Sequence, residues 1–204
     1  MIKKKALIIA GILIVVLAAG IVLYSVIKND ATKNNSNPDA KYGSDFVAVD
    51  QNGDLGTGQV VTKEQVGEAI ATNGSGVSGP DLSGVLKLGE VKSQTATYTF
   101  KMSNGKEAEV NVDARTYPSI EDMGELPFRQ TEDTAVEGIG DKARFLMTEE
   151  VQLLGNNETL MVTKGKTSFA IALSQKRDET AIDKATARDI ILKVAKVAKF
   201  DEVK

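Results

Sequence analysis

The sequence predicts an α+β fold: an antiparallel sheet packed by a C-terminal helix, carried behind a single transmembrane helix. Three observations predict it. Residues 6–27, from Ala6 to Ile27, contain no charged side chain. Apolar side chains alternate at Ala96, Tyr98, Phe100 and Met102, and again at Ala108, Val110 and Val112, the period of a half-buried strand. Between about Thr180 and Phe200, the residues Ala187, Ile190, Ile191, Val194, Val197 and Ala198 recur at helical spacing and make one apolar stripe.

The apolar run comes first in the chain. As a helix, residues 6–27 reach roughly the ~30 Å of a bilayer's hydrocarbon core. Val16-Leu17-Ala18 offers a signal-peptidase-like site, but Ile21, Val22, Leu23, Val26 and Ile27 continue the run past it. A cut there leaves a greasy new N-terminus, so the run reads as an uncleaved anchor. No cysteine exists to carry a lipid. Lys3, Lys4 and Lys5 precede the run, whereas Lys28 is followed by Asn29 and Asp30. The positive-inside bias therefore keeps residues 1–5 cytoplasmic and sends residues 28–204 outside. Residues 28–45 are polar with almost nothing to bury, and read as a disordered tether. Residues 46–204 have the length of one domain.

Within that domain, Phe46 to Val49 reads as a short strand, followed by a glycine-rich turn from Asp50 to Gly58. Thr62 with Gln65 is a capping box, and Val66, Ala69 and Ile70 give the helix after it an apolar side. Asn73 to Gly84 holds four glycines and Pro80, which predicts a surface loop. Leu86 and Leu88 mark a strand. For the central hairpin, a two-residue loop sets Phe100 opposite Glu109 and splits the apolar face. A three-residue loop, Ser103-Asn104-Gly105, pairs Phe100 with Ala108, Tyr98 with Val110 and Ala96 with Val112. That register predicts a left-handed Gly105. Ser119 starts a short helix that ends near Pro127, and Thr134 to Val136 is a weak strand. Phe145 to Leu154 reads as a further strand ending at Gly155-Asn156-Asn157. A Gly165-Lys166 turn then pairs Leu160 with Ile171 and Val162 with Phe169. Lys193, Lys196 and Lys199 fall in the last turns of the final helix, where its dipole favours cations.

Composition removes several chemistries. The chain has no Cys, His or Trp. That excludes disulfides, thiol nucleophiles, the Ser-His-Asp triad and nearly every zinc site. The net charge is −3, and three lysines precede the apolar run, so everything after it sums to −6. Nucleic acid is not an expected partner.

Four local patterns still resemble functional motifs. Asp50, Asn52 and Asp54 stand at the alternate positions of a calcium loop. Leu55 falls where that loop wants glycine and Val61 where it wants a bidentate acid. Gly138-Ile139-Gly140-Asp141-Lys142-Ala143 has the spacing of a dinucleotide fingerprint, but a hairpin rather than a helix and parallel strand lies downstream. Its glycines read instead as a tight turn into a strand. Ser103 and Lys106 have Ser-x-x-Lys spacing, and Lys166-Thr167-Ser168 echoes a Lys-Thr-Gly motif, yet the serine sits in a hairpin turn. Asn34, Asn73 and Asn157 each stand in an Asn-x-Ser/Thr triplet, which matters only if the host glycosylates exported chains. No catalytic, cofactor-binding or metal-binding residue is assigned from these patterns.

The stretch Val136-Glu137-Gly138-Ile139-Gly140-Asp141-Lys142-Ala143, the Leu160–Phe169 segment around Lys164-Gly165-Lys166, and the Ala-rich C-terminal helix together resemble a group of uncharacterised bacterial exported domains. Many of these are lipoproteins, and some resemble the PsbP-like α+β sandwich. The resemblance covers roughly residues 60–200. It implies a fold and a location outside the cytoplasm, and it carries no catalytic residues. The missing lipidated Cys is a departure, which the anchor helix would make good.

The sequence thus leads to one expectation: a membrane-anchored, extracytoplasmic, non-enzymatic binding or interaction domain of the bacterial cell envelope, with an envelope or protein partner. Two alternatives accompany it. One is a calcium-responsive domain using Asp50, Asn52 and Asp54. The other is an envelope enzyme with a Ser-Lys pair.

Overall fold

Nine antiparallel strands form one sheet among the residues that the computed structural model describes, which are 47–124, 135–146, 158–176 and 179–204. In chain order the elements are β1 (Val47–Asp50), α1 (Thr57–Val60), α2 (Lys63–Ile70), β2 (Gly74–Leu82), β3 (Val85–Leu88), β4 (Val91–Met102) and β5 (Glu107–Thr116). Then come α3 (Ile120–Met123), β6 (Ala135–Val136), β7 (Lys142–Phe145), β8 (Glu158–Lys164), β9 (Thr167–Gln175), α4 (Lys184–Val197) and a terminal 3₁₀ turn, Phe200–Glu202. The strand order is β1-β3-β4-β5-β9-β8-β7-β6, with β2 beside the second half of β4. The predicted anchor (6–27) and tether (28–45) lie outside the described residues. Among the described residues no helix is long and apolar enough to cross a membrane.

Both hairpins have the predicted register. Phe100 faces Ala108, Tyr98 faces Val110 and Ala96 faces Val112. Gly105 takes a φ of 78°, and its amide donates to the Met102 carbonyl at 2.9 Å. In β8–β9, Leu160 faces Ile171 and Val162 faces Phe169 around Gly165, whose φ is 54°. The pleat sends Ala96, Tyr98, Phe100 and Met102 to one face, where all are buried. The opposite face of the same hairpin is polar. There Thr95 donates to Asp113 at 3.0 Å and Thr97 to Asn111 at 2.8 Å. Burial among these neighbours pushes the Asp113 carboxyl above its ordinary pKa, and Arg115 and the Thr95 bond only partly offset this.

The helices cover the apolar face. The Thr62 side chain accepts from the Gln65 amide at 3.3 Å, while the Gln65 side chain accepts from the Thr62 amide at 2.8 Å, completing the capping box. Val66, Ala69 and Ile70 of α2 are buried, and α2 lies against β2 and α4. Helix α4 lies on β8 and β9 through Ala187, Ile190, Ile191, Val194 and Ala195. Each large aliphatic side chain among these contributes about 1.5–3 kcal/mol.

Helix α4 is shorter than periodicity alone predicts. It begins at Lys184 rather than Thr180, because Asp183 accepts from the Thr186 amide at 2.8 Å and the residues before it are held elsewhere. It ends at Val197 rather than Phe200. Ala198 turns extended, the Lys199 amide donates to the Val60 carbonyl at 2.8 Å, and the Phe200 ring sits 4.9 Å from that of Phe169. Val197 is consequently 43% exposed and leaves the buried stripe, and Lys199 lies outside the helix.

Two further expectations are corrected. Asn73 to Gly84 is not a loop: Gly74–Leu82 is strand β2, paired with β4. Gly74 and Gly79 stand where the two backbones approach closely. A Cβ on Gly79 would stand 2.5 Å from the Thr97 carbonyl oxygen, and its φ is 105°. The turn after β1 contains a short helix, α1, that no periodicity announces. Strand β7 covers Lys142–Phe145, and residues 147–154 of the strand expected over Phe145 to Leu154 lie outside the described residues. Helix α3 starts where Ser119 predicts, with Ser119 accepting from the Asp122 amide at 3.2 Å, but its last residue is Met123.

Buried side-chain amides fasten the connections to the sheet. Gln94 of β4 donates to the carbonyls of Gly53 (3.2 Å) and Ser83 (3.0 Å) and accepts from the Leu55 amide (3.0 Å). Gln175 of β9 accepts from the amides of Ala181 (2.9 Å) and Ile182 (3.1 Å) and donates to the Ile182 carbonyl. The Tyr98 hydroxyl donates to the Val61 carbonyl. Burial pushes the Tyr98 pKa up to about 12, so the donor proton stays in place across the physiological range.

Replacing Gln94 by Leu keeps the volume but strands one amide and two carbonyls. It should cost about 2–3 kcal/mol in urea unfolding of the full chain. Asp183 gives a pH test. Bonds from the Thr186 backbone and side chain hold its carboxyl below the ordinary range. A depressed folded pKa stabilises above the unfolded value of about 4 and loses that effect as pH falls through the folded value. Asp183→Ala should therefore melt below the parent at pH 7, and the two melting curves should converge as the pH is lowered past 4.

Candidate functional site

One end of the sheet gathers the β8–β9 turn, the turn into β7 and the C-terminal tail. Two shallow, open depressions of about 380 and 450 Å³ adjoin there and share Lys164, Phe200 and Asp201. Thr116, Lys166 and Lys204 complete the first, and Gly140, Lys199 and Glu202 belong to the second.

Asp141 organises the floor. One of its carboxylate oxygens accepts from the Gly165 amide at 2.6 Å, the other lies 3.5 Å from the Lys164 ammonium, and its own amide donates to the Thr163 carbonyl at 2.7 Å. The segment from Gly138 to Ala143 thus makes the tight turn into β7 that its glycines predict. It runs into an antiparallel strand, not the helix of a dinucleotide site. Gly140 is required: its φ is 58°, and a Cβ would stand 2.4 Å from the Thr163 oxygen and 2.5 Å from a Val162 methyl. Phe200 closes the apolar side against Phe169. Among the described residues Lys166, Lys199 and Lys204 make no ion pair, and the buried Thr116 hydroxyl has no hydrogen-bond partner. The depressions therefore combine ammonium groups, the carboxylates of Asp201 and Glu202 and an aromatic edge. They are open rather than enclosed.

Of the other sequence candidates, the Ser-Lys pair lies apart from this end, and the Asp50–Gly56 turn touches it through the tail, where the Leu55 carbonyl accepts from the Lys204 amide at 3.0 Å. Ser103 and Lys106 lie at the far end of the central hairpin. The Lys106 ammonium pairs with Glu179 at 3.3 Å, and Asn104 accepts from the Lys106 amide at 3.0 Å. No hydrogen bond joins Ser103 to Lys106 among the described residues. Asp50 accepts from the Asn52 amide at 3.2 Å and lies 3.7 Å from the Lys87 ammonium. Asp54 accepts from the Gly56 amide at 2.7 Å. Both carboxylates thus brace the turn, and Leu55, which follows Asp54, is buried. Among the described residues no three His, Cys, Asp or Glu side chains converge as metal ligands would.

Comparisons with models of protein families, with curated proteins and with solved structures give no match to this chain.

The largest charge cluster that sequence reading missed is structural. Glu158 at the start of β8 is 1% exposed. It lies 3.0 Å from Arg188 and 3.4 Å from Lys184, and the Arg188 guanidinium stands 4.7 Å from the centre of the Phe145 ring. These contacts clamp α4 onto β8. The only sequence signal is Lys184 and Arg188 four apart on one helix face.

Gly140 and Gly138 make a paired test of the turn. Gly138 also has a positive φ, 75°, but a Cβ there meets nothing within 4 Å. Gly138→Ala should cost about 1 kcal/mol from backbone strain alone, and Gly140→Ala at least about 2 kcal/mol more from the added clash. Thermal unfolding of the two variants measures the difference.

Proposed function

We propose that this chain is a single-pass, N-terminus-inside membrane protein that displays residues 46–204 outside the cytoplasm as a non-enzymatic binding or interaction domain of the bacterial cell envelope. The uncharged run at residues 6–27, with lysines on its N-terminal side only, carries the reading of location. The motif resemblance to exported bacterial domains agrees with it.

The surface supports the interaction reading. The depressions at the Lys166 end are shallow, open and lined by charged side chains, a geometry suited to a polar surface or an extended segment rather than an engulfed small molecule. The polar residues that could have served chemistry hold structure instead. Asp50, Asp54 and Asp141 brace turns, Lys106 pairs with Glu179, and Glu158 anchors α4.

Two measurements test the proposal. Alkaline-washed membranes should retain the full chain, and protease added to intact cells should digest the domain; recovery of the chain in the soluble fraction overturns the location. A photo-crosslinking residue at position 166 should yield adducts with envelope components in living cells. The same residue at Lys176, at the opposite end of the sheet, should yield few. Equal labelling at both positions, or substrate turnover by the purified chain that one point mutation abolishes, overturns the interaction reading.

A further inference from the structure

Three strands of the described sheet have a side that pairs with no described strand, and they are not alike. β2 is irregular, with register shifts between Ser75 and Ser78 and between Ser78 and Asp81, and its Pro80 has no N–H to offer. β6 has two residues. Irregularity, proline and shortness are the means by which sheets keep their edges from pairing. β1 has four residues and neither bulge nor proline. It runs in unbroken register against β3, with Val47 opposite Leu88, Ala48 opposite Lys87, Val49 opposite Leu86 and Asp50 opposite Val85.

The surface beside that edge is apolar. Val49 and Leu88 are each 43% exposed. Leu86 lies opposite Val49, and Val91 lies opposite Leu88. Directly opposed residues of an antiparallel ladder share a face. These four side chains therefore form one corner, on the face away from Ala96 and Tyr98. A lone exposed leucine needs no explanation, but a contiguous apolar corner at an unblunted edge does.

We infer that the outer edge of β1 pairs with the β1 of a second copy of this chain. The geometry suits that occupant. In an antiparallel self-pairing about an axis normal to the sheet, residues of like parity oppose each other. Val49 then faces Val49 or Val47 of the second copy, and the two apolar corners become continuous across a closed two-fold interface. The chain outside the domain selects a second copy over another partner. Residues 1–46 precede β1 in the chain. The inference rests here on the reading of residues 6–27 as an anchor: tethered copies share one membrane plane, which raises their effective concentration. A pairing of about three residues, too small to hold in dilute solution, holds under that confinement.

The chain's lack of cysteine makes disulfide trapping clean. The full-length chain carrying Val49→Cys, oxidised in native membranes, should give a band at dimer mass; Leu88→Cys, one strand further in and so about three strand spacings (~14 Å) from its symmetry mate, should give the same band with a bismaleimide of that span. Lys176→Cys, exposed and remote, measures random collision, and the corner variants should exceed it about tenfold or more. Adding Val49→Lys to the Leu88→Cys chain should return its trapping to the Lys176→Cys level without lowering the melting temperature. Trapping at the corner no greater than at Lys176→Cys, in chains that fractionate with membranes, overturns the self-pairing and leaves the anchor standing. A chain that leaves the membrane fraction overturns the anchor; the self-pairing then survives only if corner trapping persists. An adduct at another mass identifies a different occupant and overturns the second copy.

Discussion

The pleat of β4 is the constraint on which the rest of the structure depends. β4 pairs with β3 along its first residues, with β2 along its second half and with β5 along nearly its whole length. Its even-numbered residues from Gln94 to Met102 are all buried, and its odd-numbered ones form the polar ladder on the other face. A shift of one residue would exchange the two faces and bury threonines where Tyr98 and Phe100 now pack. The helices, the buried amides and the turn positions are consistent only with the present register.

Burial of polar groups then decides where the connections lie. An amide in the core must find partners, and the loops supply them. Gln94 takes three backbone groups from the segments flanking β1 and β3, and Gln175 takes three from the approach to α4. Tyr98 holds the carbonyl of Val61, while the neighbouring Val60 carbonyl receives the Lys199 amide. The Leu55 carbonyl receives that of Lys204. The same few residues after β1 thus bind both the centre of the sheet and the C-terminal tail. This is why the tail reaches the Lys166 end and completes the depressions there.

Periodic signals were legible and contact-dependent ones were not. The two hairpins could be read to the residue, because alternation and turn chemistry are local. The capping box at Thr62 and the short helix at Ser119 were legible for the same reason. Glycine and proline are the usual marks of turns, so the stretch of β2 reads in sequence as a loop, and only its close approach to β4 explains Gly74 and Gly79 as strand residues. The ends of α4 depend on contacts outside the helix: Gln175 holds Ala181 and Ile182 before its start, and Phe169, distant in sequence, receives Phe200 after its end. At the candidate site, Gly140 and Asp141 were visible as a turn into a strand. Their meeting with Gly165, Phe200 and Asp201 was not, since it requires three distant turns to converge.

The sequence by itself determined the α+β class, the register of both hairpins and the apolar run that sets the expected location. Those depend on residue type and spacing along the chain. Tertiary structure alone decided that a glycine-rich stretch is a strand, that Glu158 is a buried anchor and that the calcium-like acids brace a turn. Each of these depends on what stands across from a residue in space: a carbonyl too near for a Cβ, or a cation within reach of a buried carboxylate.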